Sequence, residues 1–317
     1  MRILAVDDEP LLLEVVQTSL RQLGYVDVTL AHSGAEALAA MDSADPPFDC
    51  FVFDIQMPEM DGIALVAATR EKAAYRRTPI LMLTRVSERE SIDAAFAAGA
   101  TDYINKPLDR IDMKARMGMV ERLVAERQRV KAANAVAQGA EQHQPPAFEI
   151  PLFLEGIGGL VEYLALENYV LTLGRKQIFS TAALGFHIEN AAAIYRRAQG
   201  PQFEYMLGDV ATVIFEVMKA HNLMFAHAGG GDFICLLPRV SEVDHEEIED
   251  EARLALADFT GLYEADGLPM PRLRVGTPVR SNIFSLTRAD QLLTRAIALA
   301  QKAGDTLPEP AWKRALP

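Results

Sequence analysis

The sequence predicts an α/β protein of two domains, each built around its own sheet. In the first third of the chain, five short apolar runs alternate with helical patterns. Strands that are apolar throughout and separated by helices are typical of a parallel sheet covered on both faces. The segment RQRVKAANAVAQGAEQHQPPA then loses apolar periodicity and ends in Pro-Pro, which indicates a linker. With 317 residues, the chain is also long enough for about two domains.

The elements of the first domain follow one another in strict alternation. Strands are predicted at MRILAVDDE, YVDVTLA, FDCFVFDIQMP, TPILMLT and DYINKP. Helices are predicted at PLLLEVVQTSLRQLG, GAEALAAMD, GIALVAATREK and SERESIDAAFAAGA, and a last helix begins near Asp109. Five such units predict a doubly wound, five-stranded parallel sheet, whose functional crevice lies at the carboxyl ends of the strands.

The last helix of this domain carries Met113, Met117, Val120 and Val124 at a four-three-four spacing. This spacing suits a coiled-coil-like seam between two chains. It equally suits a helix whose first half packs on the sheet of its own domain. Both interpretations stay open.

The second domain mixes helices with a predicted strand pair around a glycine cluster. Helices are expected in LVEYLALENYVLTLG, AAAIYRRAQ, GDVATVIFEVMKA, the acidic SEVDHEEIEDEARLALADFTGLYE and the closing ADQLLTRAIALAQKAG. Strands are expected in IFSTAALGFHIEN, LMFAHA, GGGDFICLLPRV and RLRVGTPV. The order predicts an α/β domain with an antiparallel hairpin in a mixed sheet.

Charge and composition limit the classes of partner. The formal net charge is -13, from 31 basic and 44 acidic residues. Such an excess argues against a broad DNA-binding or anionic-membrane surface. No window approaches about 18 uninterrupted apolar residues, and the N-terminus opens as a strand rather than as a signal segment, so we expect a cytoplasmic protein without membrane insertion. Cys50 and Cys235 lie in apolar runs and are expected to be buried and reduced.

Carboxylates are expected to crowd at one edge of the first sheet. Asp7, Asp8 and Glu9 follow the first strand, and Asp54 ends the third. These strand ends are neighbours in a doubly wound sheet, so the acids would share one crevice. Like charges that close require a cation, and oxygen ligands suit Mg²⁺. Lys106, at the end of the fifth strand, can reach a phosphoryl oxygen as a point charge.

Motif by motif, this arrangement resembles the receiver domain of two-component response regulators, which has a flavodoxin-like fold. The resemblance spans residues 1 to about 122 and includes the acidic pair, the segment DIQMPEMDG, a hydroxyl at Thr84, an aromatic at Tyr103 and the pair Lys106-Pro107. It implies that Asp54 is the phosphoacceptor, receiving its phosphoryl group from a histidine kinase or phosphotransfer protein. It also implies Mg²⁺ on Asp7, Asp8 and Asp54.

The same resemblance implies a switch. Thr84 would move toward the phosphoryl group and Tyr103 would turn inward, which would repack the face on which such domains commonly pair. Arg85 departs from the family, where a small residue usually follows the hydroxyl. Its guanidinium would alter the lifetime of the phosphoryl group, in a direction that the sequence does not give.

The glycine cluster resembles the signature turn of GGDEF domains, the diguanylate cyclases, over about residues 150–305. The turn falls on Gly229, Gly230, Gly231, Asp232 and Phe233. FHIEN stands where the family has an Asp-x-Asp pattern, and Gly208-Asp209 stands where the family's Gly-Asp begins a helix. We therefore expect a helix to begin there.

The catalytic ligands of that family are missing. His187 and Gly231 stand at the two metal-binding positions, and Mg²⁺ prefers hard oxygen donors. Glu189 is not expected to replace His187 unless the strand register slips. His187, Glu189 and Asp209 would form a vestigial nucleotide site. His187 and His227 suggest a metal site. However, isolated histidines on separate strands are more often packing residues than metal ligands.

We therefore expect a receiver domain at 1–122, a helical or flexible linker at 123–147, a degenerate GGDEF-like domain at 148–308 and a tail at 309–317. The expected output is a catalytically inactive domain that contacts an unknown downstream protein or forms a homodimer, with no cofactor of its own. One alternative is an active diguanylate cyclase with unusual ligands. Another is a sensor that binds GTP or cyclic di-GMP without turnover.

Overall fold

The computed structural model describes residues 1–85, 89–137, 147–173, 175–221, 223–238, 243–280 and 289–303. The chain divides into two compact units, 1–140 and 141–317. The predicted tail at 309–317 and most of the second half of the predicted linker lie outside the described residues.

The first unit is the predicted doubly wound parallel sheet. Its strands are β1 (Ile3–Val6), β2 (Val28–Ala31), β3 (Cys50–Asp54), β4 (Ile80–Arg85) and β5 (Asp102–Lys106), in the order β2-β1-β3-β4-β5. The helices are α1 (Pro10–Gln22), α2 (Gly34–Ser43), α3 (Gly62–Glu71), α4 (Arg89–Ala97) and α5 (Arg110–Ala137). Every strand pair is parallel. Because the strand order reverses between β1 and β3, a crevice opens where these two strands end.

The apolar side chains of α5 pack within the first unit. Met113, Met117 and Val120 are at most 1% exposed and belong to one cluster with Leu81 and Ile104 of the sheet. The alternative of a coiled-coil seam is therefore wrong for these three residues, since burying them against their own sheet leaves no free stripe for a second helix. The helix itself continues to Ala137, through the first part of the predicted linker.

The second unit is also α/β, with an antiparallel sheet. Its strands are β6 (Thr181–Ile188), β7 (Met224–Gly229), β8 (Asp232–Pro238), β9 (Leu273–Val275) and β10 (Val279–Arg280), in the order β10-β6-β8-β7, with β9 also on β6. The helices are α6 (Tyr163–Thr172), α7 (Arg175–Phe179), α8 (Ala191–Arg197), α9 (Gln202–Met218), α10 (His245–Ala257), α11 (Thr260–Asp266) and α12 (Ala289–Ala303). The predicted hairpin is β7–β8, with the glycine turn at its tip.

Two helices of this unit differ from expectation. Helix α9 begins at Gln202 rather than at Gly208, because Phe203, Met206 and Leu207 continue its buried face toward the N-terminus. The acidic helix predicted as one element is α10 followed by α11. Between them Phe259 N–H bonds to Leu256 O, and the hydroxyl of Thr260 donates to Ala257 O, which tightens the turn and ends α10.

Among the described helices, none is both long and apolar enough to cross a membrane.

Candidate functional site

The predicted crevice of the first unit brings together acids from β1 and β3 and a lysine from β5. Asp7, Asp8, Glu9, Asp54 and Lys106 line a cavity of about 210 Å³, together with Gln56 and Arg85. Asp7 is 1% exposed and Asp54 is 5% exposed, whereas Asp8 is exposed. Parallel strands that end at one edge of the sheet deliver these groups to one place.

Lys106 links the two buried carboxylates. Its Nζ lies 2.5 Å from Oδ1 of Asp54 and 3.1 Å from Oδ2 of Asp7. One ammonium between two acids leaves the cluster net negative, which favours a further cation. The Lys106–Pro107 peptide bond is cis.

Burial raises the pKa of Asp54 to about 6. The hydrogen bond from Lys106 opposes this rise, and the charge of Asp7 adds to it. Desolvation disfavours the charged form of a carboxyl group, so ionised Asp54 is destabilised in this site. A bound cation would offset that destabilisation.

The carboxylates fit a hard divalent cation. One oxygen each from Asp7, Asp8 and Asp54 lies within 4.8 Å of the others. Three carboxylate oxygens at that spacing suit Mg²⁺, which also keeps several of its waters. The exposed position of Asp8 leaves room for them.

Local structure fixes the two buried acids. The backbone N–H of Glu9 donates to Oδ1 of Asp7 at 2.9 Å. After Asp54 the chain turns back so closely that a Cβ on Gly62 would lie 1.9 Å from Asp54 O. The N–H of Gly62 donates to Ile55 O, and Asp61 caps α3 by accepting from Ala64 N–H.

The predicted switch residues Thr84 and Tyr103 lie on β4 and β5, the strands that also carry Arg85 and Lys106 of the cavity. Thr84 is 1% exposed, and its hydroxyl donates to Arg85 O at 3.2 Å. Tyr103 is half-buried and lies edge-on to Phe96, with ring centroids 6.4 Å apart. Arg85 lines the cavity from the exposed end of β4.

Beside Tyr103, a partly buried ion pair joins β5 to α5. Asp102 is fully buried, and its Oδ2 accepts from Arg116 at 2.7 Å. Burial raises the pKa of Asp102, and the charge of Arg116 opposes that rise. Arg116 also contacts Asp112 on its own helix.

Sequence reasoning missed two residues here. Gln56 lines the cavity two positions after Asp54, and Gly62 permits the close turn behind it. Both lie in the motif DIQMPEMDG, so the Asp-Gly pair at its end was the available signal for Gly62. Nothing in the sequence pattern singles out Gln56.

In the second unit, the residues predicted to form a vestigial nucleotide site are each paired with another residue of the fold. His187 Nδ1 lies 2.7 Å from Oδ1 of Asp232, and Gln301 donates to Oδ2 of Asp232 at 2.8 Å. Glu189 lies beyond the end of β6 and pairs with Arg274 at 2.6 Å. The register of β6 on β8 is regular from Thr181 to His187, so Glu189 does not move into the place of His187.

Asp209 lies in the middle of α9, where its carboxylate accepts from the hydroxyl of Tyr263 at 2.9 Å. Burial raises the pKa of Asp209, and this hydrogen bond opposes the rise. The contact ties α9 to α11.

The glycine turn is closely packed on both sides. A Cβ on Gly231 would lie 2.5 Å from Cβ of Ala191, and one on Gly229 would lie 2.4 Å from Glu149 O. Gly229 and Gly230 have positive φ angles of 103° and 60°. Phe233 is fully buried in the core below. Position 231 therefore has no room for a larger side chain without a shift of its neighbours.

Both ring nitrogens of His227 are used within the fold. Leu152 N–H donates to Nδ1 at 2.9 Å, which makes Nε2 the protonated nitrogen, and Nε2 lies 3.1 Å from Gly230 O. Burial lowers the pKa of His227 to about 4. A neutral imidazole with both nitrogens bonded has no lone pair for a metal.

Comparison with known proteins gives matches to the first unit. The family model of the response regulator receiver domain matches residues 3–118. The chemotaxis protein CheY1 of Helicobacter pylori is 32% identical over 120 residues, which cover 38% of this chain and 96% of CheY1. The transcriptional regulatory protein TrcR of Mycobacterium tuberculosis is 37% identical over 123 residues, 38% of this chain and 46% of TrcR. This chain thus spans less than half of TrcR. Among solved structures, CheY4 of Vibrio cholerae matches with 36% identity and a TM-score of 0.35, covering 38% of this chain and 97% of CheY4.

Proposed function

This chain belongs to the response regulator receiver family through residues 3–118, and on that premise we propose that Asp54 accepts a phosphoryl group from a histidine kinase or a phosphotransfer protein. The observation that carries the proposal is the buried contact of Lys106 with both Asp54 and Asp7 at the carboxyl edge of the sheet. A carboxylate held beside a fixed cation is suited to attack a phosphorus atom.

In the transfer, a carboxylate oxygen of Asp54 forms a bond to phosphorus as the phosphorus–nitrogen bond of a phosphohistidine breaks, and the imidazole keeps the electron pair. Lys106 would pair with a phosphoryl oxygen as the charge shifts. Mg²⁺, held by Asp7, Asp8 and Asp54, would neutralise negative charge on the transferring group. Asp54 is poised for this role because a cation restores the anion that burial disfavours.

The phosphoryl group would then act through Thr84 and Tyr103. Thr84 would exchange its bond to Arg85 O for one to the phosphoryl group, and Tyr103 would turn inward beside Phe96. The partly buried pair of Asp102 and Arg116 connects this face to α5. Arg85, on the rim of the cavity, would alter the lifetime of the phosphoryl group.

For the second unit, we infer a degenerate GGDEF-like domain that works through protein contact or homodimerisation rather than catalysis. The packing of Ala191 against Gly231 and the bond between His187 and Asp232 support this inference. A diguanylate cyclase with unusual ligands would have to bind its metal without a side chain at Gly231. Incubation with GTP and Mg²⁺ or Mn²⁺ tests that alternative, and cyclic di-GMP above a heat-killed control would establish it. Calorimetry with GTP and with cyclic di-GMP tests the alternative of a nucleotide sensor, and binding of either ligand without turnover would establish it.

Phosphorylation of the full chain tests the main proposal. Wild type, Asp54→Asn and Arg85→Ala would be incubated with Mg²⁺ and a small phosphoryl donor, and the phosphorylated form followed by mass spectrometry. We expect one added phosphoryl group on wild type and on Arg85→Ala, and none on Asp54→Asn. A phosphoryl group found on Asp54→Asn would contradict the assignment of Asp54 as the phosphoacceptor. Equal rates of phosphoryl loss from wild type and Arg85→Ala would show that Arg85 does not alter the lifetime of the phosphoryl group.

A further inference from the structure

Residues 147–153, which we call the strap, lie across the glycine turn of the second unit. The N–H of Gly230 donates to Phe148 O at 2.7 Å, and Leu152 N–H donates to His227 Nδ1 at 2.9 Å. Glu149 O fills the space beside Gly229. The strap thus occupies the backbone N–H of Gly230 in the turn and the ring nitrogen Nδ1 of His227 in the strand before it.

Phe148 anchors the N-terminal part of the strap, and Leu152 and Phe153 also pack against the core. The ring of Phe148 lies 5.2 Å from that of Tyr195 and 5.8 Å from that of Phe203, between centroids. Phe203 is 1% exposed and belongs to the core of the second unit. Aromatic rings at these separations attract one another beyond simple burial.

Apart from Phe148, Leu152 and Phe153, which pack against the core of the second unit, the strap is exposed and held weakly. Ala147, Glu149, Ile150 and Pro151 are exposed, and Ile150 keeps 49% of its surface. Segments with few buried apolar contacts open at a small free-energy cost, without unfolding of the whole unit. Loss of the Phe148 ring from its site would therefore free residues 147–151 from the glycine turn while Leu152, Phe153 and the core stay in place.

The strap is also close in sequence to the receiver. Helix α5 carries Arg116 of the Asp102–Arg116 pair and ends at Ala137, ten residues before the start of the strap. A change on the face of β5 can therefore reach the strap through one helix and a short connection.

We propose that the strap is an intramolecular ligand of the glycine turn, and that phosphorylation of Asp54 displaces it. The uncovered surface, formed by Gly230 N–H and the rings of Tyr195 and Phe203, then takes a partner peptide with the chemistry of the strap. That peptide offers an aromatic side chain and, from the same residue, a backbone carbonyl. This inference rests on the proposed phosphorylation of Asp54, and it names the surface and the partner chemistry that phosphorylation controls.

Amide hydrogen exchange on the full chain, read at Gly230, tests the strap. Phe148→Ala removes the anchor, and Ile150→Ala is the matched control on the same segment. We expect exchange at Gly230 to be about tenfold faster in Phe148→Ala and unchanged in Ile150→Ala. Equal exchange in wild type and Phe148→Ala would overturn the proposal.

The link to Asp54 is tested with beryllofluoride and Mg²⁺, with binding at Asp54 read separately from the fluorine resonance. We expect bound beryllofluoride to speed exchange at Gly230 about tenfold in wild type and to leave Asp54→Ala unchanged. Binding without faster exchange would refute displacement of the strap while leaving the phosphoacceptor intact. Absence of binding in wild type would contradict the phosphoacceptor and the strap switch together.

A synthetic peptide of residues 147–153 tests the partner chemistry. Added to Phe148→Ala, it should return exchange at Gly230 to the wild-type rate. The same peptide with alanine in place of its first phenylalanine should not. Equal effects of the two peptides, or no effect of either, would overturn an aromatic peptide as the partner.

Discussion

At the scale of single residues, Lys106 serves two buried acids at once. Its ammonium contacts both Asp7 and Asp54, so neither carboxylate is fully compensated. Burial raises the pKa of Asp54, and the charge of Asp7, which Lys106 compensates only in part, adds to the rise. A phosphoryl group brings more negative charge, so it would increase the excess of negative over positive charge at this site. Cation binding and phosphorylation at this site are therefore expected to depend on each other.

Gly62 gives a prediction about the turn behind Asp54. A methyl group there would lie 1.9 Å from Asp54 O, and backbone cannot yield as a flexible side chain can. We expect Gly62→Ala to lower the free energy of unfolding by about 3 kcal/mol and to slow phosphorylation. Gly118→Ala is the matched control, because nothing lies within 4 Å of a Cβ in that helical position. It should raise stability by about 0.5–1 kcal/mol, and urea unfolding of both variants measures the difference.

His227 gives a prediction about pH. Its folded pKa, about 4, lies below the ordinary value of 6.5, so the unfolded chain binds more protons between these values. Its contribution to stability is present above pH 6.5 and is lost as the pH falls toward 4. We expect the second unit to lose about 2 kcal/mol of unfolding free energy between pH 7 and pH 5 from this residue.

His227→Gln is the control for this pH dependence, because its amide can accept from Leu152 N–H and donate to Gly230 O without titrating. Urea unfolding would be followed at a methyl resonance of the second unit at both pH values. An identical decline in wild type and His227→Gln would show that His227 does not cause it.

At the scale of elements, the sequence predicted the strands and helices that follow from local pattern. It missed the contacts that arise only when distant segments pack together. The predicted runs of the first unit became β1 to β5, and the pattern is clearest in β1, β3 and β4, because a strand buried on both faces is apolar nearly throughout. The spacing of Met113 and Met117 could not distinguish a seam from a core face, since both need the same stripe. The contact of Ala191 with Gly231 joins a helix start to a hairpin tip, and no periodicity encodes it.

That contact between α8 and the β7–β8 hairpin gives a prediction about packing. Gly231→Ala would place its Cβ 2.5 Å from Cβ of Ala191, so we expect a loss of about 2 kcal/mol in unfolding free energy. Ala191→Gly removes the opposing methyl group and should recover part of that loss in the double variant. The remaining loss reflects Ile188 O, 3.0 Å from the new Cβ. A double-mutant cycle in urea measures the coupling, and additive losses would mean that the two positions do not touch.

At the scale of the whole molecule, the two units have separate cores. The clusters of the first unit draw on residues between Ile3 and Val120, and the cluster of the second draws on residues between Leu154 and Val275. The candidate phosphoacceptor site lies wholly within the first unit, and sequence located its acids because each ends a strand. The strap was not predicted, since residues 147–153 have neither periodicity nor a motif, and their contacts arise when the second unit folds.

Separate cores predict separate unfolding. We expect urea to unfold the full chain in two transitions, because units with their own cores can lose structure one at a time. Gly62→Ala should shift the transition followed at a methyl group of Leu65, and Gly231→Ala the one followed at Ile194. Each substitution should leave the other transition within about 0.5 kcal/mol, the additivity of distant and independent sites. A single transition moved equally by both substitutions would mean that the two cores fold as one.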